Sequence, residues 1–211
     1  MTDQPLSQNL REATAKPHEE LESHPFSAQL QDASIPEEVY RHYLHGLSLI
    51  YERLESALAH HRKHPVLQAF YDEDLLRHGT LLADLHHHGT PDPPPAEPPV
   101  AARIAQWEQS RPLALIAAAY VRYLGDLGGG QMFLRRFQQK WRLAADDHTG
   151  LRFYVFPVPV HLLRTRLRTA LDSAVLTSAE QSLVVDAAVE AFEDHGAWFD
   201  QLMNAASPEW R

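Results

Sequence analysis

Tyr120-Val-Arg-Tyr-Leu-Gly-Asp-Leu-Gly-Gly-Gly-Gln131 is the stretch on which the fold turns. It continues an apolar pattern, Leu113, Ile116, Ala117, Tyr120, Tyr123 and Leu124, whose spacings of mostly three and four are those of a helix. The pattern then fills with glycine at 125, 128, 129 and 130. Each glycine costs about 1 kcal/mol relative to alanine in a helix interior, so their presence asks for a reason. One reason is a kink, or a loop between two helices. The other is a helix whose backbone lies against something large and flat, because glycine has no Cβ to hold a planar ligand away. Asp126 is the one ionisable group among these glycines.

Outward from this segment the same period recurs, at Leu47, Ile50, Leu54 and Leu58 and again at Leu75, Leu82 and Leu85. Ser34-Ile-Pro-Glu-Glu38 places a hydroxyl ahead of a first-turn proline, and Thr177-Ser-Ala-Glu180 spells a capping box. Seven or eight helices and no strand are expected, an all-α fold. The run from Thr90 to Pro99 holds six prolines in ten residues, which forbids a continuing helix. Neither half of the chain carries the apolar mass for its own core, so residues 1–211 read as one domain with a proline-rich surface loop at about 90–99.

At 211 residues the chain is long enough to bury roughly 70% of its unfolded surface. The absence of cysteine excludes disulfides, thiolate ligands and iron–sulfur clusters, leaving nitrogen and oxygen to hold any metal. A net charge of −9 disfavours a nucleic-acid binder, and no apolar run reaches the length of a membrane span. The first fourteen residues have no apolar core between a basic head and a cleavage site, so a cytoplasmic protein is the expectation.

A second constellation is Leu10-Arg-Glu-Ala-Thr-Ala-Lys-Pro-His-Glu-Glu-Leu-Glu22. On a helix Arg11, His18 and Glu22 share one face, although Pro17 is expected to kink it. A neutral imidazole is a natural axial ligand for haem iron, and a basic residue two turns away suits a propionate. Taken alone, His18 reads better as a surface histidine in an acidic run than as a ligand.

These two segments, together with Gly150-Leu-Arg-Phe-Tyr-Val-Phe-Pro157, resemble the haem oxygenase family in order and spacing, from about residue 8 to 203. The resemblance implies a single-domain helical fold with haem between a proximal and a glycine-rich distal helix. It implies oxidative opening of haem b to biliverdin, CO and ferrous iron, with O2 and an external electron donor. His18 then matches the iron ligand and Glu22 its partner. Gly125, Gly129 and Gly130 match the distal glycines, and Asp126 matches a distal aspartate acting through ordered water. Tyr51, Tyr120 and Arg122 match the distal hydrogen-bond network and haem edge. Arg11, Arg164 and Arg168 match propionate partners, and Phe192 would help close the distal wall. The implied partners are haem, a ferredoxin or flavin/NAD(P)H-dependent reductase, and a biliverdin-using protein. Gly128 in place of a hydroxyl residue, and His195 near a position where asparagine is common, depart from the family pattern.

Competing readings are a haem carrier or sensor of the same fold, a di-iron bundle, and metal capture by the histidine clusters. The di-iron reading lacks Glu-x-x-His pairs. The clusters His60-His61, His64 and His86-His87-His88 sit at charged turns, and adjacent histidines on a helix point in different directions. Trp107, Trp141, Trp198 and Trp210 read as packing residues.

Overall fold

Helix periods along the chain become helices in the computed structural model, which describes residues 4–92 and 95–205. The described residues form ten α-helices, four 3-10 turns and no strand. In chain order the helices are α1 (Leu6–Ala13), α2 (Ala15–Glu22), α3 (Pro25–Gln31), α4 (Glu37–His60), α5 (His78–His88), α6 (Pro99–Ser110), α7 (Leu115–Gly128), α8 (Gly130–Trp141), α9 (Val160–Asp172) and α10 (Ser178–Ala205). The number exceeds the expected seven or eight because the N-terminal helix breaks at Thr14, the glycine-rich one breaks at Gly129, and α3 is short.

The start signals are realised unequally. Thr177 and Glu180 close the capping box, the Thr177 N–H donating to Glu180 Oε2 at 2.7 Å and the Glu180 N–H to Thr177 Oγ1 at 3.3 Å. At α4 the N-cap is Pro36 itself, with no side-chain cap, and Glu37 and Glu38 supply the acidic first turn that the helix dipole favours. The proline-rich stretch lies outside helices until Pro99, and its described ends are anchored by the buried rings of Pro91 and Pro98. Pro93 and Pro94 lie outside the described residues.

α7 is buried nearly all round, from Leu115 to Leu127, and forms the axis of the molecule. Helices α4, α8, α9 and α10 pack against it. α10 also touches α1, α2, α3 and α6, so it ties the N-terminal segments to the rest. Where α4 crosses α10, a Cβ at Gly46 would overlap the Trp198 ring, so only glycine permits that approach. Trp107 and Trp198 are buried and Trp141 packs against the core, while Trp210 lies outside the described residues. Asp84 on α5 accepts the N–H groups of Arg152 and Phe153 at 2.9 and 2.8 Å, fixing the Gly150–Pro157 motif. No helix among the described residues is long and apolar enough to cross a membrane.

Candidate active site

One wall of the site begins at a proline. The Pro17 ring clashes with a carbonyl four residues earlier, so α1 ends at Ala13 and Thr14 becomes a joint at φ −95°, ψ 2°. The N–H of His18 donates to Thr14 O at 2.9 Å and opens a new helix. Pro17, expected to kink a helix interior, instead stands in the first turn of α2, where its missing donor costs nothing. The Thr14 hydroxyl donates to Leu10 O at 2.7 Å and lies 3.2 Å from the Tyr120 hydroxyl, tying the joint to α7. His18 Nδ1 is 3.5 Å from Glu22 Oε2, one turn on, which leaves Nε2 as the free ring nitrogen. Phe192, expected on the wall opposite the ligand, meets the His18 ring edge-on at 5.8 Å and so stands beside it.

The facing wall is the glycine segment. The N–H of Gly129 still donates to Gly125 O at 2.9 Å, but beyond it the Gly129 carbonyl receives both Met132 at 2.9 Å and Phe133 at 3.2 Å, and the axis is redirected into α8. The kink and the bare helix face therefore coexist. A side chain at Gly125 would meet nothing within 4 Å, because that position opens onto a cleft shared with His18. Gly129 also lines the cleft. Gly128 faces the Arg164 guanidinium and Gly130 the Tyr154 ring, so Gly130 serves the packing of α8 rather than the cleft.

At the base of the cleft lies a chain of buried polar groups. Asp126 accepts hydrogen bonds from the Tyr51 hydroxyl and from Arg122 Nη2, the latter at 2.8 Å. Arg122 Nη1 is 3.3 Å from His195 Nε2, and His195 Nδ1 is 2.6 Å from Ala191 O. A carbonyl can only accept, so Nδ1 carries the proton and Nε2 receives the Arg122 N–H. Burial, reinforced by the Arg122 charge, pushes the His195 pKa down to about 3, in keeping with that neutral tautomer. Burial drives the Asp126 carboxyl well above the usual carboxylate range, while the adjacent guanidinium supports its charged form. Tyr43, also on the lining, is pushed up to about 12 by burial, with Arg122 opposing the shift.

Tyr120 and Leu124 separate this cleft from a neighbouring recess that holds Arg11 and Arg168. Arg164 lies further along α9, its Nη2 donating to Leu127 O at 2.5 Å. Of the residues picked from sequence, His18, Glu22, Tyr120, Arg122, Gly125, Asp126, Gly129 and Phe192 line one cleft; Tyr51 stands behind it; Arg11 and Arg168 line the recess next to it, and Arg164 lies in a further recess on α9. Tyr43 and Met132 escaped the sequence reading. Tyr43 was detectable as the residue two turns before Tyr51 on α4, whereas Met132 follows the kink, where helix phase is lost.

The donor set suits a flat, iron-bearing anion: a free imidazole nitrogen on one wall, a bare backbone opposite, and Arg11 and Arg168 in the adjoining recess. Comparison with known proteins agrees. A family model described as heme oxygenase matches residues 4–201. A heme oxygenase from Takifugu rubripes is 32% identical over 206 residues, covering 93% of this chain and 74% of its own. One from the alga Porphyra purpurea is 29% identical, covering 93% and 86%. Among solved structures, cyanobacterial heme oxygenase-1 from Synechocystis in complex with heme superposes with a TM-score of 0.86 at 27% identity, covering 95% of this chain and 93% of that one. The heme oxygenase of Leptospira interrogans gives 0.86 at 29% identity, covering 94% and 100%.

Proposed function

The chain belongs to the heme oxygenase family, and from that membership we propose how its cleft cleaves haem oxidatively to biliverdin, CO and ferrous iron. The enzyme is a haem-degrading oxidoreductase in which haem is both cofactor and substrate. O2 is the oxidant and an external donor supplies electrons. Bound haem supplies an iron centre that activates O2 beside the ring to be opened.

The residues divide that work. His18 Nε2 would hold the haem iron, and Glu22, 3.5 Å from Nδ1, holds the ring in the tautomer that leaves Nε2 free. A neutral imidazole pushes less electron density onto the metal than a thiolate, and the chain has no thiolate to offer. Gly125 and Gly129 let the flat substrate lie against the α7 backbone. Asp126 would hold the ordered water that delivers a proton, while Tyr51 and Arg122 fix the carboxyl in place. Arg11, Arg168 and Arg164 receive the propionates, Arg164 by exchanging its bond to Leu127 O. Phe192 steadies the His18 ring. Electrons come from a ferredoxin or a flavin/NAD(P)H-dependent reductase, and the product passes to a biliverdin-using protein, all in the cytoplasm and on a single-domain enzyme.

The observation that carries this reading is the shared cleft of His18 and bare Gly125, with buried Asp126 at its base. The test is the visible spectrum of the purified protein with one equivalent of haem, followed after adding ascorbate, an iron chelator and catalase. Loss of the Soret band with growth of biliverdin absorption is expected. A stable Soret band under competent reduction would reduce the protein to a haem carrier. His18→Ala abolishes the histidine-ligated spectrum if His18 is the ligand; an unchanged spectrum assigns the iron elsewhere.

A further inference from the structure

At the end of α4, away from the haem cleft, two successive histidines meet a glutamate of α6. We propose that His60, His61 and Glu108 form a site for a divalent first-row transition cation that joins the C-terminus of α4 to α6. The donor atoms of these three side chains all lie within 4.8 Å of one another, and they are the one such group among the described residues. Successive residues inside a helix diverge by about 100°. Here that divergence is removed by the helix end: His60 is the last helical residue, and His61 leaves the helix at φ −89°, ψ 12°. The two rings stack, 4.9 Å between centroids and 23° between planes.

Ring commitment separates these histidines from others in the chain. His24 and His64 spend Nδ1 accepting backbone N–H groups that start the next turns, at 3.1 Å from Phe26, and at 3.2 and 3.3 Å from Val66 and Leu67. His88 Nε2 is tied to Gly150 O and His195 to Arg122 and Ala191 O. By contrast, His61 Nε2 is shielded from solvent and has no hydrogen-bond partner among the described residues. His60 uses only Nδ1, 2.9 Å from Glu108 Oε1, which already holds one imidazole and the carboxylate together.

Two imidazoles and one carboxylate are the ligand set of Zn2+ and its neighbours, and the nitrogen donors discriminate against Ca2+ and Mg2+. Zn–N and Zn–O bonds of about 2.0–2.2 Å require the donors to close in by roughly an ångström. His60, with its side chain 74% exposed, is free to make that movement. The adjoining Arg62 and Lys63 oppose a cation, whereas the Glu108 charge and the negative end of the α4 dipole favour one.

The test is a Zn2+ titration of the untagged full-length protein by calorimetry, with the thermal midpoint read with and without Zn2+. The parent should bind one equivalent that Glu108→Gln and His61→Ala each weaken by at least about tenfold, and that exposed His86→Ala leaves intact. Zn2+ should raise the midpoint of the parent and of His86→Ala but not of the other two, because an ion bridging two helices binds only the folded chain. Unchanged binding in Glu108→Gln and His61→Ala, or loss in His86→Ala, would overturn the site. Glu108→Gln preserves the shape of the side chain, so its result stands even if His61→Ala disturbs the turn.

Discussion

Asp126 and His195 lie in one buried chain of hydrogen bonds, yet they fail in different ways when changed. Asp126→Ala removes the carboxyl proposed to hold the ordered water while leaving His18 and both cleft glycines in place. Haem should bind as before and biliverdin formation should drop by about 100-fold, the lower range for loss of a positioned acid–base group; product chromatography under single turnover checks it. His195 bears on stability. An unfolded histidine gains its proton below about pH 6.5, whereas buried His195 stays neutral until about pH 3. Between those values the unfolded state binds the extra proton, so acidification favours unfolding, at up to about 1.4 kcal/mol per pH unit. His195→Asn keeps an oxygen to accept from Arg122 and has nothing to titrate. Urea unfolding from pH 6.5 to 5 should therefore show a shallower loss in the variant; equal slopes would mean that His195 does not carry the effect.

At the scale of the element, the four glycines of one segment separate into different tasks, and substitution should expose them. Alanine at Gly128 finds an ordinary contact with Arg164, and alanine at Gly125 finds open space. Both should stabilise the helix by up to about 1 kcal/mol. Only Gly125→Ala places a methyl group where the flat substrate lies, and it should weaken haem binding about tenfold, or roughly 1.4 kcal/mol, in a spectroscopic titration. That division was not legible in sequence, because which way each glycine faces depends on the helix's neighbours. Spacing did place His18 and Glu22 on one helix face, since four residues is one turn wherever the helix packs, and the pairing the resemblance implied is met there. It conveyed the capping box for the same local reason. The expected proline kink falls at Thr14, three residues before Pro17, because a proline acts on the carbonyl behind it. The place of Phe192 beside His18 was not legible, since α10 reaches the site only through tertiary packing.

Across the whole molecule, ties made by residues before the proline-rich run to residues after it hold the chain together. Asp84 binds two backbone N–H groups of the 152–153 turn, and Gln131 Nε2 donates to Tyr154 O at 2.8 Å, carrying that support to the start of α8. Asp84→Ala leaves the buried Phe153 N–H without an acceptor, at about 1–3 kcal/mol, and also frees the half-buried Arg152 N–H. If the chain is one cooperative unit, calorimetry should show a single transition whose midpoint falls as a whole. Two separated transitions would show that the halves on either side of the run melt independently. The all-helical fold was readable from periodicity, whereas these cross-ties were not, because a lone buried aspartate in a helix pattern carries no sign of its distant partner.

Met132 gives the cleft a working life. The thioether lines the chamber and is 40% exposed, in a chain with no cysteine to intercept stray oxidants first. Conversion to the sulfoxide would replace a pliant apolar side chain with a polar one, two residues past the glycine joint. Accumulated turnovers would thus be recorded at one sulfur atom, and repair of that atom by a sulfoxide reductase would set how long each molecule remains useful.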